Sequence, residues 1–355
     1  MDSYVRKNLY AAHSTTRHER EDANADHPTP FARKKETNVA VLKHLTAPAA
    51  RFGRAPYYAG ALAALLALSA CGGGGGEGGT GGGAASPAST PSVQADPELA
   101  DMVPQEIRDQ GFVKIGTDST YPPAEYLSPD GETVVGFDVQ LFNAVAAKLD
   151  LQTRWQSSAF GTIVEGVDTG KYDVGVSSFT INEERMQQVN MVSYYTVGTQ
   201  WFTAEGNPEN VAPDDACGKN VAVQANTIQV PDIEARSQEC VDNGEQQINV
   251  SKYKGQNQAT ESIISGRNDA GLADMPVAVY AVEQTEGQLQ TIGEQYEAAP
   301  YGAITAKDAT ELAEAIRAGY QSIMDDGTYT EILAEWELDG QGTLDQAEVN
   351  PSVEG

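Results

Sequence analysis

The chain has 355 residues, with 23 Lys and Arg against 51 Asp and Glu, a formal net charge of −28. That length fits about two domains, and 40% hydrophobic residues supply ordinary cores, which argues against wholesale disorder. So acidic a chain lacks the clustered Lys and Arg that phosphate contacts need, which argues against nucleic acid as a partner and against electrostatic adhesion to anionic lipid.

The charge is unevenly spread. Residues 1–70 hold ten Lys and Arg, six Asp and Glu and all four histidines (His13, His18, His27, His44). Subtracting them leaves 13 Lys and Arg against 45 Asp and Glu in residues 71–355, a net of −32 with no imidazole. Once the first 70 residues are removed, Ser-His-Asp catalysis, Cys-His catalysis and His-ligated zinc are all excluded. Residues 1–50 are polar and without apolar periodicity; they read as an over-long start, with translation beginning near Val39 or Val41, or as a cytoplasmic extension. Residues 51–70 read as a secretory signal: Arg51 and Arg54 precede the short apolar run 57–70, which ends in small residues. Its 14 residues are too few to span a bilayer, which takes about twenty. Leu68-Ser69-Ala70-Cys71 resembles the bacterial lipobox, which implies cleavage before Cys71 and a diacylglyceryl group on its sulfur.

Residues 71–97 are rich in Gly, Ala, Ser and Pro. No Gly-Lys-Ser/Thr follows the glycines, so a P-loop is excluded and the stretch reads as a tether. As a coil, residues 72–95 span roughly 27 Å on average. Cys217 and Cys240 are the remaining cysteines, and an exported chain places them where a disulfide is the expected state, with a reactive thiol as the alternative.

From residue 100 strands and helices alternate. Residues 112–118 are a short apolar strand, and Pro129-Asp130-Gly131 is a turn between extended pieces. Residues 138–150 set Val139, Phe142, Val145, Ala146 and Leu149 on one helical face. A strand (151–156), a helix (160–170) and a strand (172–178) follow, then strand 220–224, a helix around 230–237, strand 248–253, helix 258–266 and strand 269–274. Amphipathic helices occupy 309–325 and 328–337. The alternation predicts an α/β fold. Gly170-Lys-Tyr-Asp-Val-Gly-Val-Ser-Ser178 aligns without gaps on Gly266-Arg-Asn-Asp-Ala-Gly-Leu-Ala-Asp274. Gly and Asp are common at helix–strand junctions, so coincidence is one reading. The other is two similar lobes whose strands end in polar groups that face one cleft.

Residues 104–340 resemble the bacterial extracellular solute-binding proteins of family 3, amino-acid receptors of ABC importers. The resemblance rests on Gly136-Phe-Asp-Val-Gln-Leu-Phe-Asn-Ala-Val-Ala-Ala-Lys-Leu149, on residues 118–126 and 177–185, and on the ending 326–336. Gln140 departs from the acid usual at its position. The resemblance implies a two-lobed periplasmic-binding-protein-like clamshell of type 2, each lobe a mixed sheet flanked by helices, with two crossover strands. Lobe 1 takes residues 98–196 and 301–345, and lobe 2 takes 197–300. It implies an amino-acid ligand and no cofactor, metal or covalent chemistry. The implied setting is a monomer, anchored to the outer face of the membrane, serving an ABC permease and ATPase.

The resemblance also carries roles for individual residues. Arg185 meets the ligand's carboxylate, Asp274 its ammonium, and Ser177, Ser178 and Thr180 hydrogen-bond it. Tyr121 and Phe160 sandwich the ligand side chain, and Asp118 touches it. The helix start beside Arg185 is expected to add free N–H donors. Thr227 and Ile228 occupy a loop where relatives carry hydroxyls, and Asn226 there suits positive φ. These roles favour a polar or cationic amino acid. A dehydratase-like clamshell enzyme and an amino-acid sensor are the alternatives.

Overall fold

The computed structural model describes residues 92–340 and 342–353. The signal, the lipobox, Cys71 and most of the tether lie outside them. Asp96 caps a short helix α1 (Pro97–Ala100), its side chain accepting from Glu98 N, and α2 (Gln105–Gln110) leads into β1 (Phe112–Thr117). A small antiparallel sheet follows, of β2 (Thr120–Tyr121), β3 (Glu125–Leu127) and β4 (Val134–Val135), its last turn built on Pro129-Asp130-Gly131.

Helix α3 (Phe137–Lys148) starts at Gly136, whose φ of 137° and close approach to the Ala124 carbonyl leave no room for a Cβ. Phe137 and Asp138 behind it are fully buried. Gln140 Oε1 accepts from the Trp336 indole N–H at 2.6 Å, so this departure from the family pattern ties α3 to the C-terminal motif.

The chain then builds β5 (Gln152–Ser157), a 3₁₀ turn (Phe160–Thr162), α4 (Ile163–Asp168), β6 (Val174–Thr180) and α5 (Glu183–Gln188). The long strand β7 (Val189–Ala204) leads to β8 (Asn220–Gln224), α6 (Gln229–Asp242), β9 (Asn249–Tyr253), α7 (Gln256–Ile264), β10 (Ala270–Asp274) and α8 (Met275–Gln284). A second long strand, β11 (Leu289–Ala306), precedes α9 (Thr310–Asp325) and α10 (Thr328–Glu335).

Eight strands form one sheet in the order β5-β1-β6-β11-β7-β10-β8-β9. The antiparallel pair β7 and β11 runs through both halves of it, with register breaks between Ile292 and Tyr296 and between Tyr296 and Ala299. Strand β6 runs along β11 to end with Thr180 opposite Tyr301, and β10 runs along β7 to end with Asp274 opposite Thr199. The carboxyl ends of the two echoing strands therefore converge from opposite sides on the middle of the long pair.

One large apolar core runs across both halves, from Val113 and Ile115 to Phe202, Ala222, Ile263 and Ala273, with smaller clusters beside it. Val113, Ile115, Phe142, Val174, Tyr320 and Ile332 belong to the core between β1, β6, α3, α9 and α10. On the other side Trp201, Val221, Val223, Ile233, Cys240 and Leu272 pack together. Cys217 and Cys240 are bonded there, with Cα atoms 5.6 Å apart, pinning α6 to the segment before β8.

Candidate ligand site

One narrow cavity lies where β6 and β10 converge, with about 10 Å³ open to a water-sized group. Asp118, Tyr121, Phe160, Ser177, Ser178, Thr180, Arg185, Thr227, Ile228 and Asp274 all line it. Glu125, Gln224 and Gln229 line it as well, and sequence reasoning did not single them out.

Arg185 sits in the first turn of α5. Its Nη1 donates to Thr180 O at 2.7 Å and its Nη2 to Asn226 O at 3.3 Å. The guanidinium also lies 5.5 Å from the Phe160 ring centre and 5.6 Å from that of Phe179. Burial lowers its pKa to about 10, so it remains a cation at neutral pH with further N–H groups to offer a carboxylate. The helix start itself contributes less than its position suggested. The Arg185 N–H is taken by the Asn182 side chain at 2.8 Å and the Met186 N–H by Asn182 O, because Asn182 is the N-cap of this six-residue helix.

Asp274 ends β10 and stands at the N-cap position of α8, but its side chain makes no cap bond. Its oxygens instead accept from Gln229 Nε2 at 2.8 Å and from the Tyr301 hydroxyl at 2.7 Å. Its own N–H donates to the Tyr121 hydroxyl at 3.2 Å. Burial raises the pKa of this carboxyl, and the Arg185 charge is among the influences opposing that rise. A buried carboxylate held by neutral donors suits an ammonium.

Asp118 is 3% exposed and accepts four hydrogen bonds. Oδ1 takes Thr120 N at 3.2 Å and Thr120 Oγ1 at 2.8 Å. Oδ2 takes Phe160 N at 2.9 Å and Gln224 Nε2 at 2.9 Å, the last reaching over from β8. Burial raises its pKa while these bonds resist the change. The Phe160 ring stacks on Phe179, with centroids 4.8 Å apart. Asn226 has φ of 67°, and the Thr227 hydroxyl donates back to Gln224 O at 2.8 Å, so that hydroxyl serves its own loop.

Beneath the cavity lies a second tier. Ser177 Oγ donates to Glu125 Oε1 at 2.8 Å and accepts from Asp118 N at 3.0 Å. Ser178 has φ of 48°, a left-handed conformation costly for a residue with a Cβ, and Asp138 Oδ2 holds it there through Ser178 N (2.9 Å) and Oγ (3.1 Å). The only hint of this tier in the sequence was the acid of the Gly136-Phe137-Asp138 run.

Known proteins agree with this architecture. Arginine-binding protein ArgT of Corynebacterium glutamicum is 34% identical over 255 residues, covering 72% of this chain and 83% of that protein. An ancestral arginine-binding protein bound to arginine superposes with a TM-score of 0.58 at 31% identity, over 64% of this chain and 98% of that one. The structure of an ancestral arginine-binding protein bound to glutamine gives the same TM-score at 30% identity, over 64% and 98% of the two chains. The fold is therefore the α/β architecture of the periplasmic binding proteins, and the relatives are binding proteins, not enzymes. Residues 113–339 match the bacterial extracellular solute-binding proteins, family 3, and the chain belongs to that family.

Proposed function

We propose that this chain is an extracellular receptor that closes around an amino acid with a long cationic side chain, arginine foremost, and delivers it to an ABC importer permease. The observation that carries this is the charge set of one cavity: Arg185 for the ligand carboxylate, Asp274 for its ammonium, and a third charged group, Asp118, left for the side chain. The first two cancel, so Asp118 decides selection. It repels acidic side chains and attracts cationic ones, while the aromatic rings pack the methylenes. The relatives' recorded ligands favour the same choice. Calorimetric titration with the twenty common amino acids, after removal of carried-over ligand, tests it. Arginine should bind tightest and glutamate not measurably; tight glutamate binding overturns the reading.

Glutamine is the second reading, and Gln224 favours it. Its carboxamide already donates to Asp118 Oδ2, as a glutamine ligand's amide would. We further infer that residues 1–70 are removed and that Cys71 carries the lipid anchor, from the lipobox-like Leu68-Ser69-Ala70-Cys71. Intact-mass measurement of membrane-extracted protein decides this: an unmodified Cys71, or residues 1–70 still attached, refutes it.

A further inference from the structure

Glu125 and Asp138 are both 0% exposed, one on β3 and the other at the start of α3. Each uses one oxygen to accept from a serine of the cavity floor, Ser177 for Glu125 and Ser178 for Asp138, and Asp138 Oδ2 also accepts from the Tyr194 hydroxyl at 2.7 Å. Among the described residues the other two oxygens, Glu125 Oε2 and Asp138 Oδ1, meet no donor, and no lysine or arginine pairs with either group. The two side chains lie within hydrogen-bonding reach of one another. Asp118, Tyr121, Tyr194 and Tyr320 face the pair without supplying a positive charge, and Arg185, which lines the same cavity as Glu125, directs its Nη groups to Thr180 O and Asn226 O. Two bare carboxylates cannot share so dry a place, but one proton between them fills both vacant oxygens.

We propose that Glu125 and Asp138 hold a single proton, with Glu125 as the acid donating from Oε2 to Asp138 Oδ1, and that this pair forces the Ser177 and Ser178 hydroxyls to point their protons away from the ligand. Both hydroxyls then offer the cavity only lone pairs. The floor accepts and does not donate, so the ligand group above it is an N–H donor such as an ammonium. Glu125 and Asp138 are positioning residues, acting through the serines. Burial raises both pKa values, that of Asp138 to about 6 and that of Glu125 well above its ordinary range, which is the direction a shared proton requires.

The amino-acid arm of the test rests on the receptor reading; the spectroscopic arm does not. Infrared spectra of the ligand-free protein at neutral pH should show a protonated-carboxyl C=O band that Glu125→Gln removes. Glutamine keeps a carbonyl for Ser177 and an N–H for Asp138, whereas leucine keeps neither. Glu125→Leu should therefore weaken L-arginine binding about tenfold or more, the effect of a buried hydroxyl left to turn toward the ligand, and Glu125→Gln should recover most of that loss. Absence of the band, its persistence in Glu125→Gln, or equal losses in the two variants overturns the proposal. If the unmodified protein binds none of the common amino acids, the receptor reading fails while the infrared arm still decides where the proton sits.

Discussion

Replacing Asp118 by Asn keeps the shape of the side chain and removes its charge. In the structure Oδ1 and Oδ2 each accept two hydrogen bonds. An amide can accept on one side only, so its NH₂ must face either the Thr120 pair or the Phe160 and Gln224 pair. The Gln224 carboxamide can turn over and present its oxygen, so the amide settles on that side and the Phe160 N–H is left unpaired. One unpaired buried donor costs about 1–3 kcal/mol, which appears as a lower melting temperature of the free protein. Binding suffers a separate loss. Asp118 is 3% exposed, so a cationic side chain placed against it forms a desolvated pair. Losing one partner of such a pair costs about 2–5 kcal/mol, roughly 30-fold to 4,000-fold in affinity. A neutral side chain loses only a hydrogen bond, about 0.5–1.5 kcal/mol. The decisive quantity is the ratio of arginine to glutamine affinity by calorimetry, because general damage to the fold lowers both alike. The difference of these ranges, about 0.5–4.5 kcal/mol, should make that ratio fall by about twofold to 2,000-fold in Asp118→Asn. An unchanged ratio would refute the idea that Asp118 reads charge.

Arg185→Lys should lose about 2–5 kcal/mol of ligand affinity, since an ammonium cannot bridge Thr180 O and Asn226 O and still grip a carboxylate with two parallel bonds; binding within threefold of the unmodified protein counts against the clamp. Reducing Cys217–Cys240, which closes a 23-residue separation, should cost about 3 kcal/mol in the chain-entropy model and lower the melting temperature by several degrees in a reductant titration. Asp118 and Asp274 both have raised pKa values, so each carboxylate becomes neutral at a higher pH than an exposed aspartate. Arginine affinity should therefore weaken as pH falls below neutral, before ordinary carboxylates titrate near 4; a flat profile down to that point argues against both roles. For stability the sign is opposite: with raised folded-state pKa values the contribution of these two groups is full below the ordinary aspartate value and is lost as pH rises through the raised ones. Ligand-free protein should show this as a component that stabilises on mild acidification and is smaller in Asp274→Asn melts.

Much of the molecule was legible along the chain. Helix α3 announced itself by its apolar spacing, β1 and β8 by short apolar runs, and the two Gly-Asp-Gly strand entries by their shared register. These are local properties: a period, a turn residue, or a glycine where a Cβ would strike Ala124 O. Exported cysteines likewise pointed to their own pairing, because only two remained once Cys71 was set aside. What the chain order could not carry was the partner of each buried polar group. Gln224 reaches Asp118 across 106 residues, Ser177 finds Glu125 across 52, and Tyr194 finds Asp138 across 56. The first exists only because two long strands bring the two halves together at the ends of β6 and β10, and the other two because β6 and β7 pack against β3 and α3, where buried donors must find acceptors. Residue types suited to binding are written locally. Which oxygen is left with a lone pair for the ligand, and which is already spent, is set by neighbours that meet only in the folded chain.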